Sequence, residues 1–241
     1  MAETEPTTYV LVHGAWHGGW CWRKVCERLT AKGHRVFAPT LSGLAERSHQ
    51  ANPSINLSTH IDDVVNLIRW EGLTNVVLVG HSYGGMVVSG VAERVPEGTI
   101  ASIVFLDAFV PEHGWSLLDY TTQPGREGGP MVEEGEATGF VSPIPAAVFG
   151  VNAADAARVD ALCTLQPYGC FTEKAVMTGA RERIASKAFV LATGYPPLMF
   201  PMFAERVRAD PTWRCHEVPC GHDVMLDDPD ALVAILEQAA P

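Results

Sequence analysis

An α/β architecture, built on a mostly parallel sheet of about six strands flanked by helices, is predicted by three observations. Short apolar runs recur along the chain, segments with one apolar stripe at helical spacing separate them, and one interval after the fourth run exceeds what a simple crossover needs.

The runs are YVLV (9 to 12), RVFA (35 to 38), VVLV (76 to 79), ASIVFL (101 to 106), KAFVLA (187 to 192) and the mixed WRCHEV (213 to 218). Five are continuous enough to be buried on both faces, which is what a parallel sheet covered by helices requires. Between them, Trp22, Val25, Cys26 and Leu29 fall at i, i+3, i+4 and i+7, as do Ile61, Val64, Val65 and Ile68, so each segment is a predicted crossover helix. The last helix is announced by Asp227, Asp228 and Pro229, which offer acidic caps and a proline suited to a first turn, ahead of Leu232, Ile235 and Leu236.

The long interval lies between the strand ending near Leu106 and the one starting near Lys187. Its stretch TTQPGREGGPMVEEGE is rich in Gly, Pro and Glu and is expected to be a surface loop, with helices over 152 to 163 and 173 to 185. A core of residues 1–110 and 187–241 is therefore expected, with 111–186 inserted after the fourth strand as a cap, or lid, over the sheet's carboxyl edge. One domain with this insertion suits 241 residues.

The totals narrow the function. With 47% hydrophobic and 19% charged residues the chain has the balance of a globular protein with a large core. A net charge of −11, with no run of Lys or Arg, argues against nucleic acid and anionic membrane as partners. The start, MAETEPTTYV, lacks the features of a secretory signal, and no apolar stretch approaches the roughly 18 residues of a membrane span, so a cytoplasmic location is expected. The six cysteines, at 21, 26, 163, 170, 215 and 220, form no C-x-x-C and are expected to be buried small hydrophobes in a reducing compartment, though 163/170 and 215/220 would be the pairs to bridge in an oxidising one.

The chemistry is concentrated in VVLVGHSYGG, where Ser82 stands between Gly80 and Gly84 in a G-x-S-x-G motif placed after a strand and before a helical run. In that context the motif is a nucleophile elbow: a sharp turn holds the serine in strained backbone, and side chains at 80 and 84 would collide with neighbouring backbone. The turn puts the hydroxyl at a helix N-terminus, where the N–H of Tyr83 faces any oxyanion that forms.

Serine needs a base, and in this motif class an acid and then a histidine follow it along the chain. Of nine histidines, His222 alone sits just past the last strand, in VPCGHDVML, in the loop leading to the final helix. The acid that holds the imidazole's tautomer has two natural places, the ends of the fourth and fifth strands. LATGYPPLMF has no carboxylate before Glu205, whereas VFLDAFVPE puts Asp107 directly at a strand end, so Asp107 is chosen, with Glu205, Asp223 and Asp227 as fallback acids. The second oxyanion donor is expected from the loop after the first strand, HGAWHGGW, as the N–H of Ala15; His13 and Gly14 shape that turn, and Trp16, Trp20 and Trp22 are assigned to packing.

With VLVHGAWHGGWCW, VVLVGHSYGG, VFLDAFVPEHG and CGHDVML in this order, the chain resembles the α/β-hydrolase superfamily, most of all the branch holding plant methyl-salicylate esterases, hydroxynitrile lyases and bacterial pyrethroid-type carboxylesterases. The likeness covers most of the chain outside 120 to 160. It implies six parallel core strands, Ser82 and His222 as nucleophile and base, and the amides of Ala15 and Tyr83 as oxyanion donors. In two places the chain departs from that branch. Most members carry the acid after the penultimate strand, where this chain has Gly194 and Tyr195; the superfamily also accepts one a strand earlier, as at Asp107. The lyases need a threonine after the first histidine and a lysine after the last, where this chain has Gly14 and Asp223, which argues against lyase activity.

The expected activity is that of a serine carboxylesterase working through an acyl-enzyme on a small to medium apolar ester. It calls for no metal and no organic cofactor, and a homodimer is left open. C–C bond hydrolysis or lactone hydrolysis with the same triad, and a non-catalytic ligand receptor, are the alternatives. Ser82 itself argues against dehalogenase or epoxide hydrolase chemistry, which wants an aspartate at the elbow.

Overall fold

Apolar runs this short can bury both faces only inside a layered sheet, and that is where the computed structural model, which describes residues 6–123, 128–196 and 198–240, places them. Six strands, β1 (Thr8–Val12), β2 (Arg35–Phe37), β3 (Val76–His81), β4 (Ile100–Leu106) and, later in the chain, β7 (Ser186–Ala192) and β8 (Trp213–Val218), form one sheet in the order β2-β1-β3-β4-β7-β8. Every neighbouring pair is parallel. The central strands are buried almost throughout, whereas β8, with its mixed sequence, lies at an edge and is mostly half-buried or exposed.

The register matters for the site. Val12 pairs with Gly80, and His81 with Leu106, so β1, β3 and β4 end at one level. In an all-parallel sheet the residues that follow each strand gather at a single edge. Here that edge collects residues 13 to 17, 82, 107, 193 to 195 and 219 to 223.

Helices cover the faces as the apolar stripes require. In α1 (Arg23–Ala31) the buried residues are Val25 and Leu29, and in α2 (Leu57–Trp70) they include Ile61, Val64 and Ile68. Asn56 starts α2 by accepting the Thr59 amide proton at 3.0 Å. Behind β3, α3 (Gly84–Arg94) is buried from Gly84 through Ala92; a Cβ on Gly90 would lie 2.2 Å from Ile61, so glycine sets the close approach of α2 and α3.

Between β4 and β7 the chain builds α4 (Leu117–Thr121), α5 (Gly129–Thr138), the antiparallel pair β5 (Phe140–Val141) and β6 (Gln166–Pro167), α6 (Ala156–Leu162), α7 (Gly169–Thr172) and α8 (Ala180–Arg183). Two expectations for this interval are corrected. The Gly- and Pro-rich stretch expected as surface loop is helical from Gly129, and residues 124–127 of it lie outside the described residues. Its Gly and Pro residues are helix punctuation: Gly128 and Pro130 sit at the start, Gly139 closes α5 in the left-handed region at φ 76°, and Gly135 packs so tightly on Tyr168 that a Cβ would lie 2.2 Å from the ring. The helix expected over 173 to 185 shrinks to the single turn of α8. There the backbone instead joins neighbouring loops, with the Ala175 amide donating to the Trp115 carbonyl and the Thr178 and Ala180 amides to Glu93.

The chain closes with α9 (Phe200–Arg208) between β7 and β8, then α10 (Val224–Asp227) and α11 (Pro229–Ala239). Asp228 caps α11, accepting the Ala231 amide proton at 3.0 Å, which matches the acidic-cap expectation. No described helix is long and apolar enough to cross a membrane.

Candidate active site

The turn at Ser82 has the strain that its motif implies. Ser82 sits at φ +52°, in the left-handed region, between the end of β3 and the start of α3. A Cβ on Gly80 would lie 2.6 Å from the Gly84 carbonyl oxygen, and one on Gly84 2.7 Å from that of Val12. Both glycines are therefore required by backbone contacts, as expected. The neighbouring turn is equally tight, since a Cβ on Gly14 would come within 2.9 Å of His81 and 3.0 Å of Ser82.

His222 and Asp107 meet at the same edge although 115 positions separate them: His222 Nδ1 donates to Asp107 Oδ2 at 2.6 Å, and both residues are buried. Asp107 is itself in the left-handed region, at φ +41°, with its amide donating to Val190 and its Oδ1 accepting from the Ala192 amide at 3.2 Å. The imidazole of His222 lies between two aromatic rings, Phe149 and Phe200, each 4.9 Å away centroid to centroid, and its own amide donates to the Phe149 carbonyl. With Nδ1 committed to the carboxylate, Nε2 is the nitrogen free to exchange protons.

Ser82, His222, Ala15 and Tyr83 border one cavity of about 310 Å³, and Asp107 stands behind His222. Among the described residues no hydrogen bond joins the Ser82 hydroxyl to the imidazole, and none engages the amide N–H of Ala15 or Tyr83. A hydroxyl, an unengaged imidazole nitrogen and two unengaged amides on one cavity are the groups that proton removal from a serine and binding of an oxyanion require. The fallback acids serve elsewhere. Glu205 is exposed on α9, Asp227 accepts from the amides of Asn152 and Gly221 at 3.0 Å each, and Asp223, with a carboxylate oxygen within 4.8 Å of the His222 and His81 rings, is hydrogen-bonded to His17.

That last contact, unforeseen from the sequence, belongs to a buried polar cluster. His17 Nε2 lies 3.1 Å from Asp223 Oδ2, and His17 Nδ1 lies 2.8 Å from the Ala15 carbonyl oxygen. Both partners are acceptors, so both ring nitrogens must carry protons and His17 is an imidazolium. Burial by itself would depress His17, but the Asp223 charge overrides it and holds the pKa well above the ordinary histidine value; Asp223, which burial would raise, is held below the carboxylate range by His17. His81, beside them, is pushed well below its usual pKa, by burial first and then by His222. Its Nε2 lies 3.1 Å from the His222 carbonyl oxygen, so it is the neutral member that supports the histidine loop. The oxyanion loop is held from its other side too, with the Trp16 amide donating to Gln166 Oε1 at 3.0 Å.

Among the described residues the cavity wall has no ionisable side chain apart from His222 and the buried Tyr83, whose hydroxyl is tied to His60 at 3.0 Å. Leu117, Phe149, Phe171, Met199 and Phe200 line it. Phe140 and Leu165 line a separate outer groove, Met177 another, and Phe203 packs in the core. Trp16, assigned to packing, also forms part of the cavity wall, with its indole N–H donating to the Val141 carbonyl at 3.1 Å.

The family model described as the alpha/beta hydrolase family matches residues 9–235. Carbendazim hydrolyzing esterase of Nocardioides sp. (strain SG-4G) is 40% identical over 232 residues, covering 93% of this chain and 96% of that protein. Methylesterase 10 of Arabidopsis thaliana is 39% identical over 116 residues, 47% of this chain and 41% of that protein. Among solved structures, an extracellular alpha/beta-hydrolase from a Paenibacillus species superimposes with a TM-score of 0.83 over 98% of this chain and 99% of that one, at 23% identity, a likeness of fold.

Proposed function

The chain belongs to the alpha/beta hydrolase family and is an ester hydrolase within it, and from that premise we propose that it is a serine carboxylesterase with Ser82 as nucleophile, His222 as base and Asp107 as its acid. The observation that carries this is the 2.6 Å bond from His222 Nδ1 to Asp107 at the wall of a cavity that also holds Ser82.

His222 Nε2 takes the Ser82 proton as Oγ adds to the substrate carbonyl, and the oxyanion accepts hydrogen bonds from the amides of Ala15 and Tyr83. Collapse breaks the bond to the leaving alcohol, which takes the proton from His222, and an ester on Ser82 remains. Water, deprotonated by His222, adds to that ester; the adduct collapses, Ser82 Oγ takes the proton back from His222 as its bond to the acyl carbon breaks, and the acid leaves. Asp107 keeps the imidazole oriented and offsets its charge throughout. Residues 111–186 act as the cap, because Leu117, Met131, Ile144, Val148, Phe149 and Phe171 supply much of the cavity wall.

The apolar wall favours a neutral, partly aromatic or alkyl ester of small to medium size. Because the Nocardioides relative is named for hydrolysing carbendazim, that compound joins p-nitrophenyl esters and lactones in the substrate screen. We propose a cytoplasmic location, which suits six cysteines that form no C-x-x-C.

The test is labelling and turnover together. A fluorophosphonate probe should attach to Ser82 in the folded protein, and Asp107→Asn should lower the turnover of p-nitrophenyl butyrate by about 10⁴-fold. Absence of labelling would favour a non-catalytic receptor, and near-normal turnover of the Asp107 variant would move the acid elsewhere.

A further inference from the structure

Asp107 receives more donors than orienting His222 requires. The oxygen that takes the His222 proton, Oδ2, also accepts a 2.6 Å hydrogen bond from the Tyr195 hydroxyl. Tyr195 must be the donor, because a carboxylate that accepts from His222 and from the Ala192 amide has no proton to give. The hydroxyl also lies 3.3 Å from His222 Nδ1, so phenol, imidazole and carboxylate share one corner.

The tyrosine is set firmly in that corner. It follows Gly194 in the loop after β7, where a Cβ on Gly194 would lie 2.8 Å from three backbone atoms of Cys220, so the loop is pressed against the one leading to His222. A Cβ on Gly150 would come 2.7 Å from the Tyr195 Cβ, which closes the other side. Burial, and then the Asp107 charge, hold the phenol far above its ordinary pKa, so it remains a donor.

We infer that Tyr195 is a positioning residue of the reaction, a fourth member that fixes the Asp107 carboxylate and sets how strongly it holds the protonated His222. The inference rests on the esterase reading given above. A donor on Oδ2 draws off part of the negative charge that would otherwise stabilise the imidazolium, and so keeps the base neutral to lower pH. Among the described residues the other titratable or charged groups around His222 are His81 and Asp223, each with a ligand atom within 4.8 Å of it, His17 beyond Asp223, Cys220 two positions before it, and Ser82 and Tyr83 on the same cavity. Tyr195→Phe leaves all of these side chains in place, and of the carboxylates only Asp107 loses a hydrogen bond.

Tyr195→Phe in the full chain, assayed with p-nitrophenyl butyrate across pH, separates this from mere packing. With the hydroxyl gone the carboxylate is looser and more basic. Turnover should therefore fall about tenfold, as loss of one hydrogen bond of ordinary net strength allows. KM should change by less than about threefold, because the substrate is not touched. The acidic limb of kcat/KM should move up by about half a pH unit, since a raised His222 pKa leaves less neutral base at a given pH. An acidic limb that stays put, with or without a loss in kcat, overturns the inference. Tyr195→Leu, which removes the ring as well, supplies the second arm: activity lost in Leu but retained in Phe would reduce Tyr195 to a packing role. If Asp107→Asn keeps near-normal turnover, the esterase reading itself fails; if it is inactive while Tyr195→Phe matches the unaltered protein, only this inference does.

Discussion

Single residues in this protein do opposite things with the same chemistry. The His222 and Asp107 pair leaves one imidazole nitrogen open to the cavity, whereas the His17 and Asp223 pair has both nitrogens of its imidazole occupied and can only bind and hold. Because His17 joins the carbonyl of Ala15 to the residue that follows His222, the buried pair fastens the proposed oxyanion loop to the proposed base loop. The pH dependence of its contribution follows from the directions of the shifts. The raised His17 pKa means its stabilisation is complete below about pH 6.5 and drains as pH rises through the folded value; the lowered Asp223 pKa means its stabilisation is complete above about pH 3.9 and is lost as pH falls through the folded value. Between these limits Asp223→Asn should cost about 3–5 kcal/mol in guanidinium unfolding, since it strands a buried charge. A cost below about 1 kcal/mol would show that the pair is not ionic.

Elements place these residues through steric limits on backbone. The elbow between β3 and α3 closes only without a Cβ at position 80, which would meet the Gly84 carbonyl oxygen at 2.6 Å. Gly80→Ala should therefore displace Ser82 and abolish fluorophosphonate labelling or leave the chain unfolded; a folded, normally labelled variant would contradict the steric reading. Far from the site, the cap of α11 offers a contrast. Asp228→Ala removes the acceptor for the Ala231 amide and should lower unfolding free energy by about 1 kcal/mol while leaving esterase turnover unchanged, as urea titration and a routine assay would show. Sequence misplaces two elements for two reasons: in α5, Gly128, Pro130 and Gly139 carry the same letters whether they bound a helix or fill a loop, and in 173 to 185 the Ala175, Thr178 and Ala180 amides are taken by Trp115 and Glu93 instead of by a helix.

At the scale of the whole molecule, the sheet order gathers five loop segments at one edge, and the 111–186 interval completes the cavity over them. We propose that this combined wall selects the substrate. A cavity of about 310 Å³ whose side chains, among the described residues, are nearly all apolar should disfavour a charged acyl group, because burying a charge without a partner is costly. We expect a p-nitrophenyl hemisuccinate to have a kcat/KM at least about 100-fold below that of the neutral butyrate, a discrimination within reach of one unpaired buried charge. Equal values would mean that the wall does not enclose the acyl group.

What the amino-acid order determined by itself was whatever depends on near neighbours: the strand runs, the stripes of α1 and α2, the glycine-bracketed turn at Ser82, and the carboxylate at the very end of β4. Those patterns are local because alternation, helical spacing and steric exclusion act over a few residues. Only the tertiary structure decided that Asp223 hydrogen-bonds His17, 206 positions away, while His222 bonds Asp107, and that Tyr195 reaches Asp107 across 88 positions. Parallel strands carry distant loops to one edge, and hydrogen-bond partners there are chosen by proximity in space and by the need to satisfy buried charge, which leaves no mark on residue spacing along the chain.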